Sequence, residues 1–331
     1  GNNNLVQQAL NSYGIKMQTL SLDLVNDSTI YIDGRMYGLE AFEMKIDTID
    51  LDVNQRNKYL TYKFHAGSAP GTNDEFAQVT IKGGVRGNQL GILLDQQNIR
   101  GEQGFKLGLD AVLGDTVINM KVFPKNPVIG YRKWSVNEDN IVEYNYIKNL
   151  INANLDLKCD SSYVKVTANH KEFRERNAQD VKLNIGGVQI AEWVKVSPFI
   201  PPMSGVFSAD MKMVYNGKHL LGRGETHLDN FKFNRKPVGN FDLDLGLALD
   251  PETNLVRLVT SFDVDGKKAI RLRGMLNDTT SKDEFNFKLN VDSFPLKIAN
   301  PFIPGNMANL QGLLYGEMDM RGSLLRPILS G

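Results

Sequence analysis

The chain has 331 residues, with 38 Lys+Arg against 38 Asp+Glu, 41% hydrophobic residues and 23% charged ones. The balanced charge excludes a global basic field for gripping nucleic acid, and no run approaches the roughly 18 uninterrupted apolar residues of a membrane-spanning helix. The length would fill about two compact domains of ~100–200 residues, and the lone cysteine, Cys159, rules out an internal disulfide.

Taken in chain order, the polar start Gly1-Asn2-Asn3-Asn4 shows no signal peptide, and a glycine in place of Met suggests a processed or excised chain. Leu5-Val6-Gln7-Gln8-Ala9-Leu10 reads as a short helix. Asp27-Ser28 reads as a turn, and so does Asp33-Gly34 after Ile30-Tyr31-Ile32. Ile49-Asp50-Leu51-Asp52-Val53 and Lys106-Leu107-Gly108-Leu109 alternate with the period of two that marks a strand with one apolar face. Leu155-Asp156-Leu157-Lys158-Cys159 and Tyr163-Val164-Lys165-Val166 do the same, and the phase makes Cys159 a buried small hydrophobe. A short helix is expected over 190–196.

The alternation strengthens toward the C-terminus. Met211-Lys212-Met213 is followed by a turn at Asn216-Gly217. Phe241, Leu243, Leu245, Leu247 and Leu249 are interleaved with Asp242, Asp244, Gly246, Ala248 and Asp250. Asp265-Gly266, between Phe262-Asp263-Val264 and Ala269-Ile270-Arg271-Leu272, has the form of a tight hairpin. Asn277-Asp278 marks another turn; Phe285, Phe287, Leu289 and Val291 alternate after it, and Met318-Asp319-Met320 closes the series. A third short helix is expected after Pro295, since proline suits a first helical turn. The expected fold is therefore all-β, an array of many short antiparallel or mixed strands with a few short helices.

An internal repeat organises the second half. Pro198-Phe199-Ile200-Pro201 recurs as Pro301-Phe302-Ile303-Pro304. A short helix is expected before each copy, and a glycine-led strand after it: Gly205 through Met211 and Met213, then Gly312 through Met318 and Met320. The repeat-like units cover about 180–250 and 281–331. The second breaks off early, so the chain reads as one elongated repetitive domain cut from a longer array.

The residues of catalysis are not assembled by any motif. His65, His170, His219 and His227 lack zinc spacing, and there is no HExxH or CxxC. No Gly-x-Ser-x-Gly elbow occurs. Gly222-Arg223-Gly224 starts a dinucleotide pattern, but His227 stands at the third glycine. Asp50, Asp52 and Asn54 have calcium-loop spacing without the glycine that should follow, so they read as the wet side of a strand. The expectation is a protein that is not an enzyme and needs no cofactor or metal.

Phe294-Pro295-Leu296-Lys297-Ile298-Ala299-Asn300-Pro301-Phe302-Ile303-Pro304-Gly305, continued through Leu310-Gln311-Gly312 to Gly316, resembles the repeat unit of the TamB family. So does Gly322-Ser323-Leu324-Leu325-Arg326-Pro327-Ile328-Leu329-Ser330-Gly331, and the block from Trp193 to Leu249 is similar to another such unit. The resemblance covers about 180–331; earlier residues match in texture alone. It implies a long curled sheet, U-shaped in section, with a continuous hydrophobic groove. It also implies a Gram-negative periplasmic location, an inner-membrane anchor outside this segment, and a partner outer-membrane barrel of the TamA type. The implied role is passage of phospholipids between the membranes, or assembly of outer-membrane proteins. The wall of such a groove would be Met211, Met213, Phe241, Leu243, Leu245, Leu247, Leu249, Phe285, Phe287, Leu289, Val291, Met318 and Met320, facing phospholipid acyl chains. The competing reading from alternation alone is a β-sandwich interaction module, in which these are plain core residues. A membrane β-barrel would need aromatic girdles, and the aromatics are scattered.

Overall fold

A computed structural model of the chain describes residues 15–26, 29–41, 44–68, 78–196, 200–250, 252–277, 283–303, 309–323 and 326–331. The chain is all-β, and the strand pairings are antiparallel, each strand bonding chiefly to its neighbour in sequence. It divides into two compact units, residues 1–138 with 192–200, and residues 139–191 with 201–331.

The first unit carries β1 (Thr19–Asn26), β2 (Ile30–Ala41), β3 (Met44–Arg56), β4 (Tyr59–Gly67), β5 (Gln78–Arg86), β6 (Gln89–Gln97), β7 (Gln103–Leu113), β8 (Val117–Ile129) and the short β9 (Arg132–Lys133) and β10 (Ser135–Val136). Its largest fully buried side chain among the described residues is Trp134, 1% exposed, whose indole N–H donates to the Ile129 carbonyl at 3.3 Å. Trp193 meets that ring edge-on, with centroids 6.3 Å apart, and Arg132 pairs with Glu192 at 2.8 Å.

The second unit carries β11 (Ile141–Asn145), β12 (Leu150–Cys159), β13 (Ser162–Ala168), β14 (Gln179–Gln189), β15 (Met203–Tyr215), β16 (Leu220–Phe233), β17 (Lys236–Asp250), β18 (Leu255–Val264), β19 (Lys267–Leu276), β20 (Phe285–Pro295), β21 (Leu313–Ser323) and β22 (Arg326–Ser330). Short helical turns lie at Glu172–Arg176 and Ile190–Val194, and a 3₁₀ helix at Leu296–Phe302. The first was not legible in the sequence. The second is the helix expected over 190–196. The third stays 3₁₀ because Pro301 lies inside it and supplies no N–H for α-helical bonding.

The turns follow their chemistry. Asp265 and Gly266 have φ of 49° and 73° and join Val264 to Lys267, a two-residue hairpin whose twist suits the flanking strands. Asn57-Lys58 and Asn234-Arg235 make the same turn with no glycine at all. One expectation is overturned: Asp33-Gly34 is not a turn but mid-strand in β2. Asp33 is opposed by Asp23 and Asp52, and Gly34 by Leu22 and Leu51. A Cβ on Gly34 would make ordinary contact with the Leu22 and Leu51 side chains, so this position belongs to an apolar row and not to a reversal. The expected helix at 5–10, the Asp27-Ser28 turn, Asp278, Pro198-Phe199 and Pro304 lie outside the described residues.

Two features shape the second unit. Register shifts fall between Ile185 and Val188, Ser204 and Val206, Leu228 and Phe231, Phe262 and Asp263, and Val291 and Phe294. They line up at one level across the sheet. Bulges bend strands and raise their twist, so an aligned row curls the sheet. At the opposite level β13 stops short of Ile151, and Gln179, 1% exposed, takes its place. Its side-chain carbonyl accepts from the Ile151 N–H at 2.9 Å, and its amide donates to the Ile151 carbonyl. Cys159 is buried, at 8% exposure, as its phase requires.

Candidate functional site

In an antiparallel pair, residues directly opposite one another share a face. The register therefore decides which side chains form one surface. Met211 opposes Gly224, Gly224 opposes Leu245, Leu245 opposes Thr260, and Thr260 opposes Leu272. Leu272 opposes Leu289, and Leu289 opposes Met318. The neighbouring row runs Met213, Gly222, Leu247, Leu258, Gly274, Phe287, Met320. Leu249 and Phe285 belong to the next row through Val256 and Leu276, and Leu243 and Val291 to another through Phe262 and Ile270. Phe241 sits one step further along β17, its ring 5.4 Å from that of Phe262. All thirteen residues singled out from the sequence thus lie on one face of seven consecutive strands, β15 to β21.

The face is neither sealed nor bare. Phe285 alone of the thirteen is buried, at 8% exposure; Met213, Leu243 and Met318 are 41%, 36% and 36% exposed, and the others are half-buried. A sandwich core would bury them all to a few percent. One end is closed. The 3₁₀ helix brings Ile298 against Val238, Val264 and Ala269, all buried, with Phe231, Phe233, Phe241, Phe262, Ile270 and Phe294 around them. The Phe302 ring lies against that of Phe233, tilted by 32° with centroids 4.4 Å apart.

Sequence reasoning missed much of this wall. Leu183, Leu258, Phe262, Ile270 and Leu272 share it, and their alternation was visible in outline. The glycines hid the rest. Gly222 and Gly224 interrupt the apolar phase of β16, and a Cβ on Gly224 would sit 3.2 Å from Met211 Cγ. The methionine leans over the gap, a use that suits a flexible, polarisable side chain.

The first unit has its own apolar face, which the sequence reading touched only in the runs Ile49 to Val53 and Lys106 to Leu109. Gly34, Leu51, Phe64, Ile81, Leu94 and Leu107 oppose one another in a row, beside Ile32, Val53, Tyr62, Gly83, Ile92 and Leu109. Tyr62 lies over Gly83 and donates to the Gly91 carbonyl at 2.9 Å. This aromatic-over-glycine pairing recurs in the second unit, where Phe287 covers Gly274.

The opposite face of the second unit is polar and largely self-neutralised. Arg271 grips Asp292 through both its Nε and Nη2 at 2.7 and 2.6 Å, which holds that carboxyl below its ordinary range. Lys212 pairs with Asp180 at 2.7 Å and Lys288 with Glu317 at 3.1 Å. The His227 ring lies 2.7 Å from Asp242, and that hydrogen bond raises its pKa against the opposing effect of desolvation. Such exposed pairs order the surface more than they stabilise it. Among the described residues no three His, Cys, Asp or Glu gather as metal ligands, and no helix is long and apolar enough to cross a membrane.

No family model, no curated protein and no solved structure matches this chain.

Proposed function

We propose that the apolar face of the second unit is a wall along which lipid acyl chains lie, in a TamB-like periplasmic protein that passes phospholipids between membranes. The observation that carries this reading is the half-exposed state of a face continuous over seven strands. Exposed apolar surface of that extent is costly in water and usually marks a binding surface. Acyl chains relieve the cost at about 0.8 kcal/mol per buried methylene. The wall carries few polar groups to fix a ligand: Thr226 lies between Ala209 and Leu243, Thr260 between Leu245 and Leu272, and the Thr260 hydroxyl has no partner. A lipid so held can slide. The resemblance in the repeat segments supplies the rest: the phospholipid cargo, the periplasm, the inner-membrane anchor, the TamA-like barrel partner and the further role in outer-membrane protein assembly. On this reading the chain does no covalent chemistry.

A photoreactive side chain placed at Leu245 or Leu289 should capture phospholipid in cells, while the same group at Asp244 or Lys288, on the opposite face, should not. Equal capture from the two faces, or none from either, would overturn the reading. Leu245→Asp should abolish capture from position 289 while the variant still folds; a wall that were a sealed core would simply unfold.

A further inference from the structure

The polar face of the first unit is not neutralised in the same way. A cavity of about 1070 Å³ opens there over Gly84 and Gly91. These glycines oppose each other directly, between Thr61 and Asp110, so two adjacent strands present no side chain at this level. Lys63, Lys82, Arg56 and Arg86 stand around the depression; the Tyr59 hydroxyl lies against Gly84, the carboxylate of Asp110, the one acid of the lining, reaches over Gly91, and Leu93, Val112 and Phe123 complete the wall.

Lys63 and Lys82 are direct cross-strand partners. Like charges so placed repel and destabilise a sheet. Such oppositions occur elsewhere in the chain, in Lys182–Lys212, Arg273–Lys288, Glu225–Asp244 and Asp33–Asp52. In each of those one member is tied into an ion pair: Lys212–Asp180 at 2.7 Å, Lys288–Glu317 at 3.1 Å, Arg223–Glu225 at 2.6 Å and Arg35–Asp33 at 3.1 Å. Lys63 and Lys82 have no such relief. Asp52 stands across from Lys63 without pairing with it, and Arg56 and Arg86 are likewise outside every ion pair among the described residues.

We propose that Arg56, Lys63, Lys82 and Arg86, which surround this depression, form a binding site for a phosphate-bearing anion. The lysines act as point charges, and the arginines at the turn end offer planar forks for phosphate oxygens. The ligand's charge would replace the missing carboxylates and remove the Lys63–Lys82 repulsion. The site lies on the side of its sheet away from Phe64, Ile81 and Leu94, so it is separate from any apolar wall and does not depend on the lipid reading.

The test is calorimetric titration of the full chain with inorganic pyrophosphate at low salt, with sedimentation against vesicles of phosphatidylcholine alone or with phosphatidylglycerol. Saturable pyrophosphate binding with no pull-down by anionic vesicles identifies a soluble phosphate ligand. Sedimentation with phosphatidylglycerol vesicles, and not with neutral ones, identifies a lipid head group. In either case Lys63→Gln with Lys82→Gln should weaken binding about tenfold or more, with thermal stability kept or raised because the repulsion is gone. The proposal is overturned if neither probe binds, if the double variant binds as well as the parent, or if Lys182→Gln with Lys212→Gln weakens binding as much.

Discussion

The closed end and the open middle of the second unit's apolar face are built from the same strands, but phenylalanines and the aligned register shifts gather at the closed end. At the closed end Val264 and Ala269 are 2% and 0% exposed; in the middle Leu243 and Met213 are 36% and 41% exposed. The bulges bend the strands at the closed end, and one added element covers it: the 3₁₀ segment after β20 lays Ile298 and Phe302 back over β16 and β17. Covering such a wall thus takes an element outside the strand pattern, and where none is laid down the wall stays open.

Energetics can break that comparison. Ile298→Ala should cost about 3 kcal/mol, the transfer and cavity cost of a buried aliphatic side chain. Leu245→Ala, at a half-exposed position, should cost only about 1 kcal/mol, since little water-free contact is lost. Urea unfolding of the two variants measures both. Equal losses would mean that the middle is as enclosed as the end, and the open wall would fall. A gain is expected at the hairpin beside the closed end. Arg235 holds φ of 65° in a two-residue turn, a conformation that strains an L-side chain. Arg235→Gly should therefore stabilise by about 0.5–1 kcal/mol, net of glycine's entropic cost. A loss of stability would show that the Arg235 side chain does more for the closed end than its backbone costs.

The strand faces were legible because period-2 alternation states them directly, as along Phe241 to Leu249 in β17. They were lost where the phase is carried by glycine. Gly222, Gly224 and Gly83 occupy the apolar face but say nothing about it until a partner strand supplies Met211, Leu247 or Tyr62. Turn chemistry had the same limit. Asp265-Gly266 reads as a hairpin at sight, whereas Asn57-Lys58 and Asn234-Arg235 look like ordinary polar sequence, and Asp33-Gly34 imitates a turn while lying in a strand. Cross-strand facts were out of reach altogether. No sequence pattern puts Lys63 opposite Lys82 or sends the Gln179 amide to Ile151, because register is set by pairing between distant segments.

The smallest expected effect tests the wet side of the same strands. His227 opposes Asp242 in the β16–β17 ladder, and the hydrogen bond raises the imidazole pKa above its ordinary value. A raised folded-state pKa means that the protonated form is favoured by folding. Its contribution is fully present below the unfolded value of about 6.5 and fades as pH rises through the folded pKa. Half of the side chain is in solvent, at 52% exposure, so screening cuts the contribution to a few tenths of a kcal/mol. Unfolding free energies at pH 5.5 and pH 8 should therefore differ slightly more in the parent than in His227→Gln, with the parent favoured at the lower pH. The same difference in both proteins would show that the pair is decorative. A difference of several kcal/mol would show that the polar face is far less open to water than the 52% exposure of His227 implies, and with it that the two faces of the sheet are not the wet and the greasy side that their residues describe.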